Sequence, residues 1–166
     1  FARVGVPHCP VSGKVLRAYT VQEIVDTVVA RGEGARAAIL APMVRQRKSD
    51  LRAELEQLRR DGFVRARLDG TQIDLGEDVD VDRSQPHDLD VVVDRIVVKA
   101  GVKGRVTDSI ELALKLGDGT VLIDAVDGSE PVVMSERLVS WEHGITLPPL
   151  EPRLFSFNSP HGACPV

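Results

Sequence analysis

Aromatic residues are scarce. Phe, Trp and Tyr make up 4% of the 166 residues, while hydrophobic residues as a class make up 43%. The core therefore has to be aliphatic. Cysteine is nearly absent too. Cys9 and Cys164 lie at opposite ends of the chain, which excludes a disulfide framework. No apolar run is long enough to span a bilayer and no secretory signal is visible, so a cytoplasmic chain with no membrane partner is expected. There is no basic excess either. A net charge of −4 and a pI of about 5.6 argue against a stand-alone nucleic-acid binder, which needs a cationic face.

Catalytic signatures are missing as well. There is no Gly-rich loop ending in Lys-Ser or Lys-Thr to cradle phosphate, and no Gly-x-Ser-x-Gly elbow. The histidines, at 8, 87, 143 and 161, form no helical i,i+4 pair. The carboxylates of 76–88 lack the spacing of a calcium loop, and no carboxylate sits in the apolar setting of a general acid. No self-contained active site is expected.

What remains is a chain of one-domain length with arms. It opens on Phe1-Ala2-Arg3 and closes on Cys164-Pro165-Val166, and it reads as a piece of a larger protein. Its organising stretch is His87–Thr120. Leu89 and the β-branched Val91, Val92, Val93, Ile96, Val97 and Val98 make an apolar run typical of a strand covered on both faces, interrupted by Asp94 and Arg95. Neighbouring strand residues point to opposite faces, so those two charges cannot share one. After Gly101 and Gly104 the period becomes helical. Val106, Ile110, Ala113 and Leu114 face a core, and Arg105, Asp108, Glu111 and Lys115 form a mixed-sign outer stripe. That stripe is either a solvated face or a polar docking surface.

Ahead of this stretch, Thr20 and Glu23 have capping-box spacing at the start of a helix over 21–30. Ala37–Ala41 reads as a short strand ended by Pro42, and Ser49 as the N-cap of a helix over 49–60. The basic cluster Arg45–Lys48 could touch phosphate or simply be solvated. Phe63–Asp69 and Thr71–Leu75 alternate about a hairpin turn at Asp69-Gly70. Arg65 and Arg67 share one face of that hairpin, as interface donors or as solubilising charges. Further strands are expected at 121–126 and 132–136. The expected fold is therefore α+β: a mixed, mostly antiparallel sheet of about five strands with two to three helices packed on it, flanked by irregular Pro-rich arms. The expected divisions are an arm at 1–19, the module at 20–137 and an arm at 138–166. In the first arm, Cys9-Pro10-x-x-Gly13 has the form of half a zinc knuckle, with Ser12 at the second ligand position, or is a plain Pro-rich turn.

Three blocks taken together are more specific. They are Ile39–Arg45 with Gly62–Gly70, then Val91–Arg95 with Asp108–Leu114, then Leu150–Pro160 with Gly162–Pro165. In this order they closely resemble the UvrA family, the damage-sensing ATPases of bacterial nucleotide excision repair. The match falls on the insertion that docks UvrB, with short flanks of the ATPase head. The resemblance implies a docking module in which Arg65, Arg95, Asp108 and Glu111 form one surface contacting UvrB. It implies a homodimeric parent that uses ATP and zinc and meets DNA only as the full-length protein. It implies no cofactor for this stretch. The family's Cys-Pro-x-Cys-Gly knuckle falls on Ser140–Gly144 and a second begins at Cys164. His143 and Cys164 are thus the remnants of a degenerate metal site, expected to hold no zinc. The alternatives are a nucleic-acid-contacting module built on Arg45–Lys48 and a zinc-stabilised structural arm.

Overall fold

A computed structural model describes residues 5–125, 130–148 and 150–152. The elements, in order, are α1 (Val21–Val29), β1 (Arg36–Lys48), α2 (Arg52–Arg60), β2 (Arg65–Leu68), β3 (Thr71–Asp74), β4 (Pro86–Val97), α3 (Lys103–Leu116), β5 (Thr120–Ala125), β6 (Val132–Ser135), β7 (Leu138–Ser140) and β8 (Ile145–Leu147). Two compact units result. Thr20–Met134 forms one, and the described parts of Phe1–Tyr19 and Ser135–Val166 form the other. The fold class is α+β, as the periodicities predict. The main sheet has six strands rather than about five, in the order β3-β2-β4-β1-β5-β6, and β7 and β8 make a separate pair. Residues 126–129, between the strands expected at 121–126 and 132–136, and most of the block from Leu150 to Pro165 lie outside the described residues. Among the described residues no helix is long and apolar enough to cross a membrane.

Helix α1 begins as its capping box dictates. Thr20 Oγ1 accepts from the Glu23 amide at 3.2 Å, and Glu23 Oε2 accepts from the Thr20 amide at 2.8 Å. Helix α2 departs from expectation. It starts at Arg52, and its N-cap is Leu51 in a left-handed conformation, φ 52°, with no side-chain cap. Ser49 sits two residues earlier, its hydroxyl accepting from the Leu51 amide at 3.3 Å. Leu51 is fully buried, so packing outweighs the backbone cost of ~1–3 kcal/mol for a non-glycine residue there.

Pro42 does not end β1, which runs on to Lys48. The pairing with β5 stops at Leu40–Leu122, so at Pro42 the ladder runs to β4 alone, opposite Asp90. A proline is tolerated where one flank of a strand needs no donor.

Strand β4 lies between β1 and β2 and carries one extra residue. Leu40 of β1 faces Val92 while Ile39 faces Asp94, so Val93 forms a bulge. A bulge reverses the facing of every residue beyond it. Asp90 and Val92 point to one face of the sheet. Asp94, four residues past Asp90, points to the other. Helix α3 packs on the Asp94 face with Val106, Ile110, Ala113 and Leu114 buried. Full burial of a Val, Leu or Ile side chain contributes ~1.5–3 kcal/mol, so these residues hold the helix in place. Asp94 adds an anchor: it accepts from Arg105 at 2.7 and 2.9 Å and from the Ser109 hydroxyl at 2.8 Å. Burial pushes the Asp94 carboxyl up, but hydrogen bonds from Arg105, Ser109 and the Arg95 amide outweigh it and hold it below the usual carboxylate range.

The β2–β3 hairpin turns at Asp69 and Gly70, both left-handed at φ 49° and 82°. Asp69 also reaches the buried His87 of β4, Oδ2 to Nδ1 at 2.6 Å, while His87 Nε2 lies 2.7 Å from the Asp82 carbonyl oxygen. Both ring nitrogens face acceptors, which favours the imidazolium. The hydrogen bond to Asp69 and then that to Asp82 raise the His87 pKa above its ordinary 6.5. Asp69 is lowered: burial acts upward, but the Asp88 amide and His87 prevail.

Two predictions follow from this packing. Stability from a raised histidine is fully present below its unfolded pKa of 6.5 and is lost as pH rises through the folded value. Against a His87→Gln variant, whose other titrations are the same, the urea midpoint of the chain should therefore lose its advantage as pH rises above 6.5. Gly117 closes α3, and a Cβ there would run into the Thr120 carbonyl oxygen and lie 2.7 Å from Pro42 Cδ. Gly117→Ala should cost ~1–3 kcal/mol in the same denaturation measurement.

Candidate functional site

The face of the sheet opposite α3 carries a charged groove. The register places Arg67 of β2 against Asp90 of β4, and Ala38 of β1 between Arg95 of β4 and Asp124 of β5. All of these point to this face. Ala38, Leu40 and Val92 form an apolar floor, and Arg36, Arg67, Arg95, Gln72 and Asp124 form the walls of a groove of about 450 Å³.

An ion-pair network fixes one side of it. Arg67 meets Asp90 at 2.8 and 2.9 Å and Asp124 at 3.1 Å. Asp90 also accepts from Arg45, whose guanidinium bonds the Val44 and Leu89 carbonyls as well. The side chains of Asp90, Arg67 and Arg45 are 6%, 14% and 23% exposed, so this is a largely desolvated cluster, not a surface pair. It joins β1, β2, β4 and β5. Arg95 bonds Gln72 of β3 across the groove and is otherwise exposed.

The four predicted contact residues do not share one face. Arg65 alternates with Arg67 along β2 and so shares the open face with Arg95, and both are exposed. Asp108 and Glu111 are exposed on α3, which covers the other face. Arg65 and Arg95 share a sheet face because β2 and β4 are neighbours, and one surface made by all four residues has to pass over the rim. A partner that touches all four has to straddle the rim of the sheet. Arg67, Asp90, Asp124 and Gln72 were not in the expected site. Arg67 was legible as a companion of Arg65, but its long-range carboxylate partners were not.

The basic cluster Arg45–Lys48 is not a helix approach but the end of β1. Arg45 is paired with Asp90 and Arg47 with Glu54, so half of its positions are already matched by carboxylates. This does not make the continuous cationic face that a nucleic acid requires.

The arms hold a second constellation. Cys9, Ser12, Ser140 and His143 lie in two similar loops. In each, the two positions are three apart and a left-handed glycine follows, Gly13 at φ 69° and Gly144 at φ 62°. Cys9 Sγ is 3.8 Å from His143 Nδ1, which is 3.2 Å from Ser140 Oγ; the Ser12 amide donates to Cys9 Sγ at 3.5 Å. Hydrogen bonds from the Ser12 and then the Ser140 hydroxyl hold the Cys9 thiol down at about 6. His143 therefore faces Cys9, not the expected Cys164, which lies outside the described residues. Among the described residues no three His, Cys, Asp or Glu side chains converge as metal ligands.

Comparison with known proteins bears on both sites. A family model described as the UvrA interaction domain matches residues 19–127. The chain is 45% identical over 166 residues to UvrABC system protein A of Bacillus subtilis (strain 168), covering all of this chain and 17% of that protein. It is 46% identical over 166 residues to the protein of that name from Streptococcus mutans, covering 100% of this chain and 18% of the other. The Bradyrhizobium diazoefficiens protein matches at 42% over 186 residues, 19% of its length. The chain thus spans less than a fifth of these curated relatives.

The network yields a stability prediction. Asp90→Ala leaves Arg45 and Arg67 partly buried without their shared carboxylate and should cost ~3–5 kcal/mol in urea denaturation. Glu56→Ala, which removes an exposed i,i+4 pair with Arg60, should change stability by less than ~0.5 kcal/mol.

Proposed function

Because this chain belongs to the UvrA interaction domain family, we propose that it is a protein-docking module of nucleotide excision repair and that its partner is UvrB. It binds and orients; it performs no catalysis of its own. ATP hydrolysis and DNA contact belong to the rest of the parent protein, which acts in the cytoplasm as a homodimer.

The observation that carries this reading is the open sheet face. It joins an apolar floor to arginines on neighbouring strands, and the Asp90 network has already fixed the positions of the side chains on one flank. Prior ordering lowers the entropy that binding has to overcome. Arg65 and Arg95 supply positive charge on this face, and Asp108 and Glu111 supply negative charge over the rim. A partner needs the reverse pattern on two surfaces at an angle. That requirement rejects a simple polyanion such as DNA and fixes orientation. The paired state of Arg45 and Arg47 speaks against the nucleic-acid alternative.

Titration of purified UvrB with the folded chain and its variants tests the proposal. Arg95→Ala should weaken binding by more than about tenfold, equivalent to ~1.4 kcal/mol. Arg47→Ala should have a smaller effect. The reverse ranking, with both variants folded by circular dichroism, would move the docking surface to the end of β1.

A further inference from the structure

The two arm loops pose a question independent of docking. Their geometry is that of paired metal knuckles: two positions three apart, a left-handed glycine after each second position, and all four side chains converging. Zinc is the group that the family resemblance implies for such a pair. The donor set does not fit it. A structural zinc site uses four donors drawn from cysteine and histidine, and thiolate supplies the charge that neutralises the ion. Here two of the four positions, Ser12 and Ser140, are hydroxyls, which keep their protons near neutral pH and contribute no charge. Only Cys9 and His143 remain, and two donors rarely hold a structural metal.

The same positions are nevertheless tightly organised. Cys9 and Ser140 are buried, 2% and 6% exposed, while Ser12 and His143 lie at the surface. The first loop is closed by its own backbone, with the Cys9 amide donating to the Lys14 carbonyl and the Gly13 amide to the Cys9 carbonyl, both at 2.8 Å. The second is closed by the β7–β8 pairing of Ser140 with Ile145. His143 Nδ1 then reaches across to both Cys9 Sγ and Ser140 Oγ. The loops thus have a metal-site frame and a contact at its centre that needs no metal.

We infer that the two loops are clasped without a metal ion, through a Cys9–His143–Ser140 contact that takes the place of zinc. In this clasp His143 is the bridging group and Ser12 contributes through its amide and hydroxyl. The frame retains knuckle geometry, so returning thiols to the two serine positions recreates a metal site with three cysteines and one histidine.

The test uses the full chain, dialysed against zinc and then against metal-free buffer. The parent should retain less than ~0.1 equivalent of zinc, and its thermal midpoint should not change when a chelator is added. The S12C/S140C double variant should take up ~1 equivalent of cobalt with a thiolate-to-cobalt absorption band, and its midpoint should become chelator-sensitive. If the double variant does not accumulate as a folded protein, S12C alone offers three donors and carries the same cobalt test. A parent that retains one equivalent of zinc, with a midpoint that falls on chelation, overturns the inference. So does a folded cysteine variant that shows no cobalt band, because the four positions then do not converge.

Discussion

The bulge at Val93 is the constraint on which the rest of the module depends. Without the extra residue, Asp94 would point to the same face as Asp90, and Arg95 would point into the helix layer. With it, one strand serves two environments. Asp90 anchors a desolvated arginine network on the open face, and Asp94 pins α3 through Arg105 and Ser109 on the other. Arg95, beside Asp94 in the chain, is turned to the open face, where it meets Gln72. The sheet is thereby covered by α3 on one side and carries the charged groove on the other.

This division explains how a small module with an aliphatic core can present a specific surface. The apolar energy lies on the helix side, where Ile39, Val91, Ile110 and Ile123 are buried. The polar side is ordered by charge. Buried charge networks are weak contributors to net stability, since desolvation offsets most of the attraction, but a broken one is costly. That asymmetry holds Arg45 and Arg67 in fixed places. The Asp90 cluster resists rearrangement and leaves Arg65 and Arg95 exposed at its border.

The sequence was legible wherever the determinants are local. The Thr20–Glu23 capping box, the Asp69-Gly70 turn and the switch of period after Gly104 each depend on residues within one or two turns of one another, and each is in place. The opposed facing of Asp94 and Arg95 was legible for the same reason. Which of the two faces the helix was not, because the answer depends on a bulge set by the pairing of Ile39 and Leu40, more than fifty positions away. The continuation of β1 through Pro42 was hidden by the same kind of cause, since the proline is tolerated where the β1–β5 ladder has already stopped, at Leu40–Leu122. Leu51 as a left-handed cap has no local signal at all; burial selects it. Among the site residues, the charges Arg65, Arg95, Asp108 and Glu111 could be read, but their distribution over two faces required the register. Cys9 was visible as half a knuckle, and its meeting with His143 was not, because 134 positions separate them.

The open face of the sheet, with the rim that leads to α3, is the surface proposed to receive the partner. Backbone chemical-shift mapping of the isotopically labelled chain during titration with unlabelled UvrB tests it most directly. The largest changes are expected at Arg65, Arg67, Gln72, Val92 and Arg95, with a second group at Asp108 and Glu111. Changes confined to Arg45–Lys48 or to α1, with β2 and β4 silent, would contradict it.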